Sequence, residues 1–308
     1  MVIDSTRMKS LADRLAGDEV KGRSLWADAR KRFLKNKAAV SGLVVLLLVL
    51  AFAVFGNMIA AYSNETLDFS VMGQIAEKGG PSLSNGHYFG TDDLGRDLFA
   101  RTVQGTQISL AVGIVGSAIA VLVGTFYGAF AGYVGGRTDN VMMRLVDILM
   151  SIPYMFVLIL LLVVFGRSII MLFMGIGLIS WLDMSRIVRG QTLSLKHKEF
   201  IEAAEATGVS RLTIIRRHIV PNLLGVVAVY ATLLVPLMIL TESFISFLGL
   251  GVQEPLTSWG ALISEGSGTI NYGTLWQLAF PLFFFVITLF AFFFVGDGLR
   301  DALDPKDR

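Results

Sequence analysis

The residues whose types and spacing could do chemistry are concentrated in one polar stretch, KHKEFIEAAEATGVSRLTIIRRHIVP, which runs from Lys196 to Pro221. Acidic residues recur there at every third position, namely Glu199, Glu202 and Glu205. They load the start of a predicted helix with negative charge, which the exposed N–H groups and the macrodipole favour. Ala203 and Ala204 favour a helix and keep its profile narrow. A narrow acidic helix could bind in a groove on another protein and pair with a basic residue there.

A glycine and a proline are predicted to limit this segment. Gly208 ends the first helix, Ser210 can cap a second helix, and Pro221 is expected to stop it. Two short helices joined at a glycine form a compact projection, which must lie in water because it is much more polar than its apolar neighbours. The alternative from this pattern alone is an ordinary solvated loop.

A single acidic residue, Glu242, falls inside a long apolar stretch. An ionisable group at the centre of a bilayer costs at least about 2.5 kcal/mol unless it faces water or a partner. Glu242 could therefore line a transport route or its outer gate. The alternative is a structural pair with another subunit, or a position nearer the outer interface.

Several kinds of catalysis are excluded by what the sequence lacks. It has no cysteine and only three histidines, so neither a thiolate metal site nor a histidine-built metal cluster is expected. It contains no GxxxxGK[ST] loop to hold phosphates and no HExxH or GxSxG motif of a hydrolase. We therefore expect a chain without enzymatic activity, metal or cofactor of its own. If transport is powered, the ATP is hydrolysed on another polypeptide.

Membrane helices must position these residues. The chain is 54% hydrophobic and 16% charged, against about 25% charged residues in soluble domains. Six apolar stretches can cross about 30 Å of hydrocarbon as helices. They cover residues 38–61, 107–133, 142–165, 169–188, 223–248 and 275–295. The predicted fold is an all-α polytopic membrane protein, with the second to sixth spans forming a core over residues 107–295. Small residues four apart in the second span predict close contact with another helix.

The distribution of positive charge predicts the orientation. Of the 26 Lys and Arg residues, 22 fall on the side that carries both termini and the stretch 196–221, which places that side in the cytoplasm. Residues 1–37 form a cytoplasmic tail in which 24–33 could lie along the membrane surface as a helix, and 296–308 form a second tail. Segments 62–106 and 249–274 then face the exterior or periplasm.

Charged residues outside the central stretch have simpler interpretations. Asp147, Asp183 and Arg186 are expected to make contacts at the cytoplasmic ends of spans, and Asp183 can pair with Arg186 three residues later. The outer run DDLGRD, residues 92–97, could form local ion pairs that order its loop. It lacks the spacing of a calcium-binding loop.

The central stretch resembles the EAA motif of bacterial ABC importer permeases, in which EAA is followed by three residues, Gly and, thirteen residues later, Pro. The resemblance extends to HYFGTDDLGRD at 87–97, SWLDMSRIVRGQTLSLK at 180–196, ESFISFLGLG at 242–251 and GDGLRDALDPKDR at 296–308. These stretches resemble the C-type permease subunit of oligopeptide transporters, within the dipeptide, oligopeptide and nickel family. His218 and Val220 replace the Ile and Leu of the general motif, as is typical of the peptide branch.

The resemblance implies a type I ABC importer permease fold in a bacterial inner membrane. It implies a heterodimer with a second permease, two cytoplasmic ATPases that bind ATP and Mg, and a periplasmic binding protein that delivers oligopeptides, but no nucleic-acid partner. The residues that would couple to the ATPases are Glu202, Ala203, Ala204, Gly208 and Pro221. Dipeptides, glutathione-like compounds and nickel remain alternative cargoes. A secondary carrier is an alternative class, although it would not need this projection.

Overall fold

The computed structural model describes residues 25–303, so expectations for 1–24 and 304–308 lie outside the described residues. The described chain is helical, without strands and with two isolated β-bridges. Its α-helices are α1 (Leu25–Lys35), α2 (Lys37–Ile59), α3 (Ile75–Lys78), α4 (Leu98–Val134), α5 (Gly136–Met150), α6 (Tyr154–Phe165), α7 (Ile169–Lys196), α8 (Glu199–Ala206), α9 (Arg211–Ile214), α10 (Val220–Phe247), α11 (Trp259–Thr269) and α12 (Trp276–Leu303). A π-helical turn, Ile215–Ile219, joins α9 to α10.

Five helical segments are long and apolar enough to cross a membrane. They are α2, α4, α7, the continuous run Arg211–Phe247 and α12. The pair α5 and α6 makes a sixth candidate, but its two helices meet at an angle of 77°. Five of the six predicted spans are thus found as single helical segments, whereas the predicted span 142–165 corresponds to the bent pair. Pro153 causes the difference, because it has no N–H to donate and disfavours helical backbone at Ile152.

The second membrane helix begins earlier than its apolar stretch suggested. Asp97 caps α4 by accepting a hydrogen bond from the Ala100 N–H at 2.8 Å, so Leu98–Thr106 is helical rather than part of the preceding loop. At about 1.5 Å per residue, the 37 residues of α4 extend well beyond about 30 Å of hydrocarbon. The outer loop therefore ends at Asp97, not at Thr106.

The most extensive helix contact among the described residues is that of α4 with α7. Gly124, Gly128 and Gly132 lie along the contact, as the spacing of small residues predicted. A Cβ atom on Gly128 would lie 2.3 Å from the backbone oxygen of Ser185. Helix α4 is also the most buried candidate span, with 56% of its apolar window inside the protein. These two helices form the centre on which the other spans pack.

The two ends of the bundle differ in chemistry. At one end, Phe33 lies near Gly298, and Gly225 lies near Leu303. This end carries α1, α8 and α9 and is called the basic end below, because α1 and α9 contribute Lys and Arg residues to it. The other end carries residues 60–97 and 248–275 and is called the loop end. Segment 249–274 contains a further helix, α11, packed on α4, α10 and α12.

Candidate functional site

Helix α8 at the basic end has the boundaries that local sequence predicted. Gly208 has a φ of +79°, a left-handed conformation that glycine adopts without strain. The Gly208 N–H donates to the Glu205 oxygen at 2.9 Å, and the Val209 N–H donates to the Ala204 oxygen at 3.1 Å. These two bonds form a Schellman motif, which satisfies carbonyl groups at the end of the helix. The predicted glycine termination is therefore confirmed in detail.

The two faces of α8 have different environments. Ile201 is fully buried in an apolar cluster with Ile214 and Ile219, and Ala204 packs against that cluster as a half-buried residue. Glu202 and Ala203 are exposed on the other face. Phe200, which sequence reasoning overlooked, is 43% exposed beside them. A partner surface can therefore reach Glu202, Ala203 and Phe200, whereas Ala204 serves mainly to seat the helix on its own subunit.

The second half of the segment departs from its prediction. Ser210 caps α9 through the Thr213 N–H, as expected. The helix does not stop at Pro221, because α9 continues through the π turn into α10. Pro221 lies in the first turn of α10, where a residue without an N–H is tolerated. The prediction of a separate second helix is wrong, and one continuous helix leads from Ser210 to the loop end.

A tyrosine that the motif did not indicate attaches α8 to the bundle. The Tyr133 hydroxyl donates to Glu205 Oε1 at 2.8 Å, and the Lys196 ammonium lies 5.8 Å from the centre of the Tyr133 ring. Tyr133 stands at the basic end of α4, so its contact with Glu205 links helices far apart in sequence. Glu205 is thus engaged within the subunit, and Glu202 remains the exposed acidic residue of the EAA triplet.

The charged residues of α5 and α7 pair between helices. Arg186 forms an ion pair with Asp147, and both side chains are about half exposed. The predicted pair of Asp183 with Arg186 is wrong, because the Arg186 side chain reaches α5 instead. Arg189, which was not singled out, makes two hydrogen bonds of 2.6 Å to the buried Asp139 carboxylate. These contacts hold α5 against α7.

Glu242 lies near the loop end of α10 and is 0% exposed. Its carboxylate accepts hydrogen bonds from Ser109 on α4 at 3.0 Å and from Ser246 on α10 at 2.7 Å. Ser243 donates a longer bond of 3.3 Å. The Glu242 side chain is thus enclosed by residues of this chain, at the junction of α4, α10 and α11. A role in lining the route or its gate stays a prediction.

Ion pairs order the loop end, and one of them, Arg96 with Asp92, is a local pair of the kind that the run DDLGRD predicted. The Arg101 guanidinium, 3% exposed, bonds to Asp92 Oδ2 at 2.6 Å and to both oxygens of Glu265 at 2.6 and 3.1 Å. Arg96 bonds to Asp92 at 2.6 Å and to Glu254 at 2.8 Å. Glu254 and Glu265 belong to the second outer segment, so the network fastens that segment to the first loop.

His87 forms a second polar cluster in the same loop. Its Nδ1 lies 2.8 Å from Asp97 Oδ1, and its Nε2 lies 3.5 Å from Asp68 Oδ2. Burial raises the pKa of the Asp97 carboxyl, while hydrogen bonds from Ser70 lower the pKa of Asp68. Because Asp97 also caps α4, this cluster fixes where the loop ends and the helix begins.

We expect Arg101→Leu to destabilise the loop end by about 1 to 3 kcal/mol, because the Glu265 carboxylate loses its ion-pair partner and the buried Asp92 carboxylate keeps Arg96 as its remaining one. Thermal unfolding of the purified protein in detergent measures the effect. Arg167→Leu is the matched control, since Arg167 is exposed at the same end and donates one 3.3 Å bond to the Gly249 oxygen. Equal losses in the two variants would contradict the importance of the Arg101 network.

Taken together, the fold and the site define a polytopic helical membrane protein that presents a short, partly exposed acidic helix at its basic end. Residues 124–308 match the family described as binding-protein-dependent transport system inner membrane component. Residues 24–74 match the N-terminal TM domain of oligopeptide transport permease C. The chain therefore belongs to the family of binding-protein-dependent inner membrane transport components.

Similar proteins support this membership along the whole chain. The oligopeptide transport system permease protein OppC of Escherichia coli K12 is 55% identical over 305 residues, covering 99% of this chain and 98% of that protein. The Haemophilus influenzae OppC is 53% identical, covering 98% and 95%. The Bacillus subtilis dipeptide transport system permease protein DppC is 44% identical, covering 94% and 89%.

A solved structure supports the fold. A chain from inward-facing conformations of the MetNI methionine ABC transporter aligns with a TM-score of 0.54 at 19% identity, covering 66% of this chain and 95% of that chain. At this identity the likeness concerns the fold alone. The predicted ABC importer permease fold is confirmed.

Proposed function

We propose that this chain is a membrane-spanning permease subunit of an ATP-driven importer of oligopeptides. The observation that carries the proposal is α8, a short helix with Glu202 and Ala203 exposed and its end fixed by Gly208, in a chain that contains no phosphate-binding loop. Such a subunit needs an ATPase from outside and a surface on which to receive it. The names of the similar proteins support peptides as the cargo.

The proposed assembly follows from the two ends of the bundle. The basic end faces the cytoplasm, where two ATP-binding subunits that hold ATP and Mg dock on this chain and on a second, homologous permease. The loop end faces the periplasm, where a binding protein delivers the peptide. The excess of Lys and Arg at the basic end supports this orientation, with both termini in the cytoplasm.

The proposal predicts that charge reversal at Glu202 weakens ATPase docking. An exposed carboxylate that pairs with a basic residue on the ATPase would become a like charge, and we expect Glu202→Lys to reduce co-purified ATP-binding subunits at least about tenfold. Glu65→Lys is the matched control, because Glu65 is an exposed acid at the loop end. Equal recovery of the ATP-binding subunits with both variants would contradict the proposal that they dock at Glu202.

ATP-dependent uptake separates the remaining alternatives. Vesicles that contain the two permeases and two ATPases should accumulate labelled tri- and tetrapeptides only when ATP and the binding protein are present. A secondary carrier would transport with an ion gradient alone and would purify without ATP-binding subunits. Competition by dipeptides, glutathione or nickel tests the other cargoes, of which dipeptides have support from the Bacillus subtilis relative.

A further inference from the structure

Two serines connect the Glu242 carboxylate to the backbone of the segment that follows α10, as the directions of their hydrogen bonds show. The Ser109 oxygen accepts the backbone N–H of Trp259 at 3.1 Å, while the Ser109 hydroxyl donates to Glu242. The Ser246 oxygen accepts the backbone N–H of Val252 at 3.4 Å, while its hydroxyl donates to Glu242 at 2.7 Å. Each serine therefore relays a contact from the carboxylate to the backbone of the segment that follows α10. Glu242 is connected in this way to the first residue of α11.

The first turn of α11 is tightly packed at this point. Trp259 is 0% exposed, and its indole N–H donates to the Thr106 hydroxyl of α4 at 3.1 Å. A Cβ atom on Gly260 would lie 2.4 Å from the Ser243 Cα of α10. The first turn of α11 is thus pressed against both helices that supply the Glu242 cluster. Removal of the carboxylate would leave the buried serine hydroxyls without their acceptor.

The position of this cluster connects it with the basic end. Glu242 lies on the continuous helical run Arg211–Phe247, which starts at the Ser210 cap beside α8. A displacement of this run at the basic end therefore reaches Glu242 through one helix. The carboxylate and its serines then determine whether α11 follows that displacement or separates from it.

We propose that Glu242 is a positioning residue that latches the first turn of α11 to α4 and α10, so that the loop-end helix moves with α10 during transport. The latch is a property of this chain, whereas its use in transport rests on the proposed function. Glu242 acts through Ser109 and Ser246, and no contact with peptide is required of it.

Cysteine labelling can test the latch, because the chain contains no cysteine. Leu262 on α11 is 1% exposed, and one of its methyl carbons would lie 3.1 Å from a Cβ on Gly105 of α4. A single cysteine at Leu262 should therefore be protected from a membrane-impermeant maleimide in the assembled transporter. In the Glu242→Ala background we expect its labelling rate to rise at least about tenfold, because buried bonds to a charged group are lost.

Matched variants control for the loss of a buried serine hydroxyl and for access of the reagent to the loop end. Ser117→Ala is the control, because Ser117 is a buried serine of α4 that bonds only to the Ile114 oxygen of its own helix. Ser267→Cys, which is exposed on α11, reports that the reagent reaches the loop end equally in each background. If Glu242→Ala fails to accumulate in the membrane, Ser109→Ala carries the test, with an expected rise in Leu262→Cys labelling of at least about threefold. Unchanged labelling of Leu262→Cys in the Glu242 or Ser109 variant would overturn the latch.

A second measurement separates positioning from general stability. Assembled transporter with Glu242→Ala should still hydrolyse ATP but transport less peptide per ATP, and Glu242→Gln should restore part of the uptake because its amide oxygen still accepts. A purely structural role would lower hydrolysis and uptake together, in proportion to the amount of folded complex, and would overturn the positioning role. If wild-type protein shows no ATP-dependent uptake, the proposed function fails, while the labelling rates still decide whether the latch exists.

Discussion

Replacement of Gly208 by proline is expected to reduce ATP-dependent peptide uptake at least about 100-fold. Gly208 has a φ of +79°, whereas proline fixes φ near −65°, and the substitution also removes the N–H that donates to Glu205. Such a change costs about 3 kcal/mol, which corresponds to about two orders of magnitude in a docking equilibrium. The Schellman motif is lost, and α8 can no longer hold Glu202 and Ala203 in one docking geometry.

The amount of protein in the membrane should not change with this variant. Among the described residues, no atom beyond the two chain neighbours lies within 4 Å of the position that a Cβ on Gly208 would occupy, so the substitution disturbs the exposed segment and not the packed bundle. Gly208→Asn is the matched control, because asparagine tolerates the left-handed conformation better than other non-glycine residues and keeps the N–H. Uptake and membrane quantity are measured in parallel for both variants. Wild-type uptake by the proline variant would refute a coupling role for α8.

Local sequence was sufficient to predict α8 because its determinants lie within the segment. The glutamates near its start, the alanines and Gly208 act within one or two turns, and the Schellman bonds need no other part of the chain. The small-residue face of α4 was likewise readable from spacing alone. The α7 residues that these glycines contact could not be predicted from the sequence, because they depend on how α4 and α7 are aligned.

Predictions were wrong where packing overrides a local signal, or where a proline interrupts a run of apolar residues. Pro221 was expected to end a helix, but the buried cluster of Ile214, Ile215 and Ile219 carries the helix through a π turn into α10. Pro153 does break the predicted span, although the run of apolar residues across it suggested continuity. Arg186 pairs across helices with Asp147 instead of along its own helix with Asp183. The partner of Arg186 is thus distant in sequence, whereas the break at Pro153 is a local effect of that proline.

The environment of Glu242 shows the same limit at the candidate site. Its burial cost marked it as important, but the sequence could not show that Ser109, 133 residues away, donates to it. Nor could a glycine-rich outer segment reveal that Trp259 begins a helix packed against α4 and α10. Composition thus identifies which residue needs partners, whereas the tertiary structure determines which partners it has.

Helix packing at Gly128 should be the most sensitive point of the bundle. A Cβ there would lie 2.3 Å from the Ser185 oxygen and 3.0 Å from the Arg189 nitrogen, both of them backbone atoms that cannot rotate away. We expect Gly128→Ala to destabilise the protein by about 1 to 3 kcal/mol, since overpacking forces the backbone to shift. In lipid, close packing largely replaces the hydrophobic effect as the force between helices, so the larger Gly128→Leu should prevent α4 and α7 from associating.

A glycine on the partner helix provides the matched control for this prediction. Gly190 lies in α7 and is exposed, and no described atom outside its own helical turn lies within 4 Å of the position that its Cβ would take. Gly190→Ala should leave stability unchanged or raise it by up to about 1 kcal/mol, because alanine is the better helix former. Thermal unfolding in detergent and the yield of monodisperse protein measure both series. Because the same substitution is made in two membrane helices that contact each other, equal behaviour at positions 128 and 190 would show that the α4 and α7 contact does not govern the stability of the bundle.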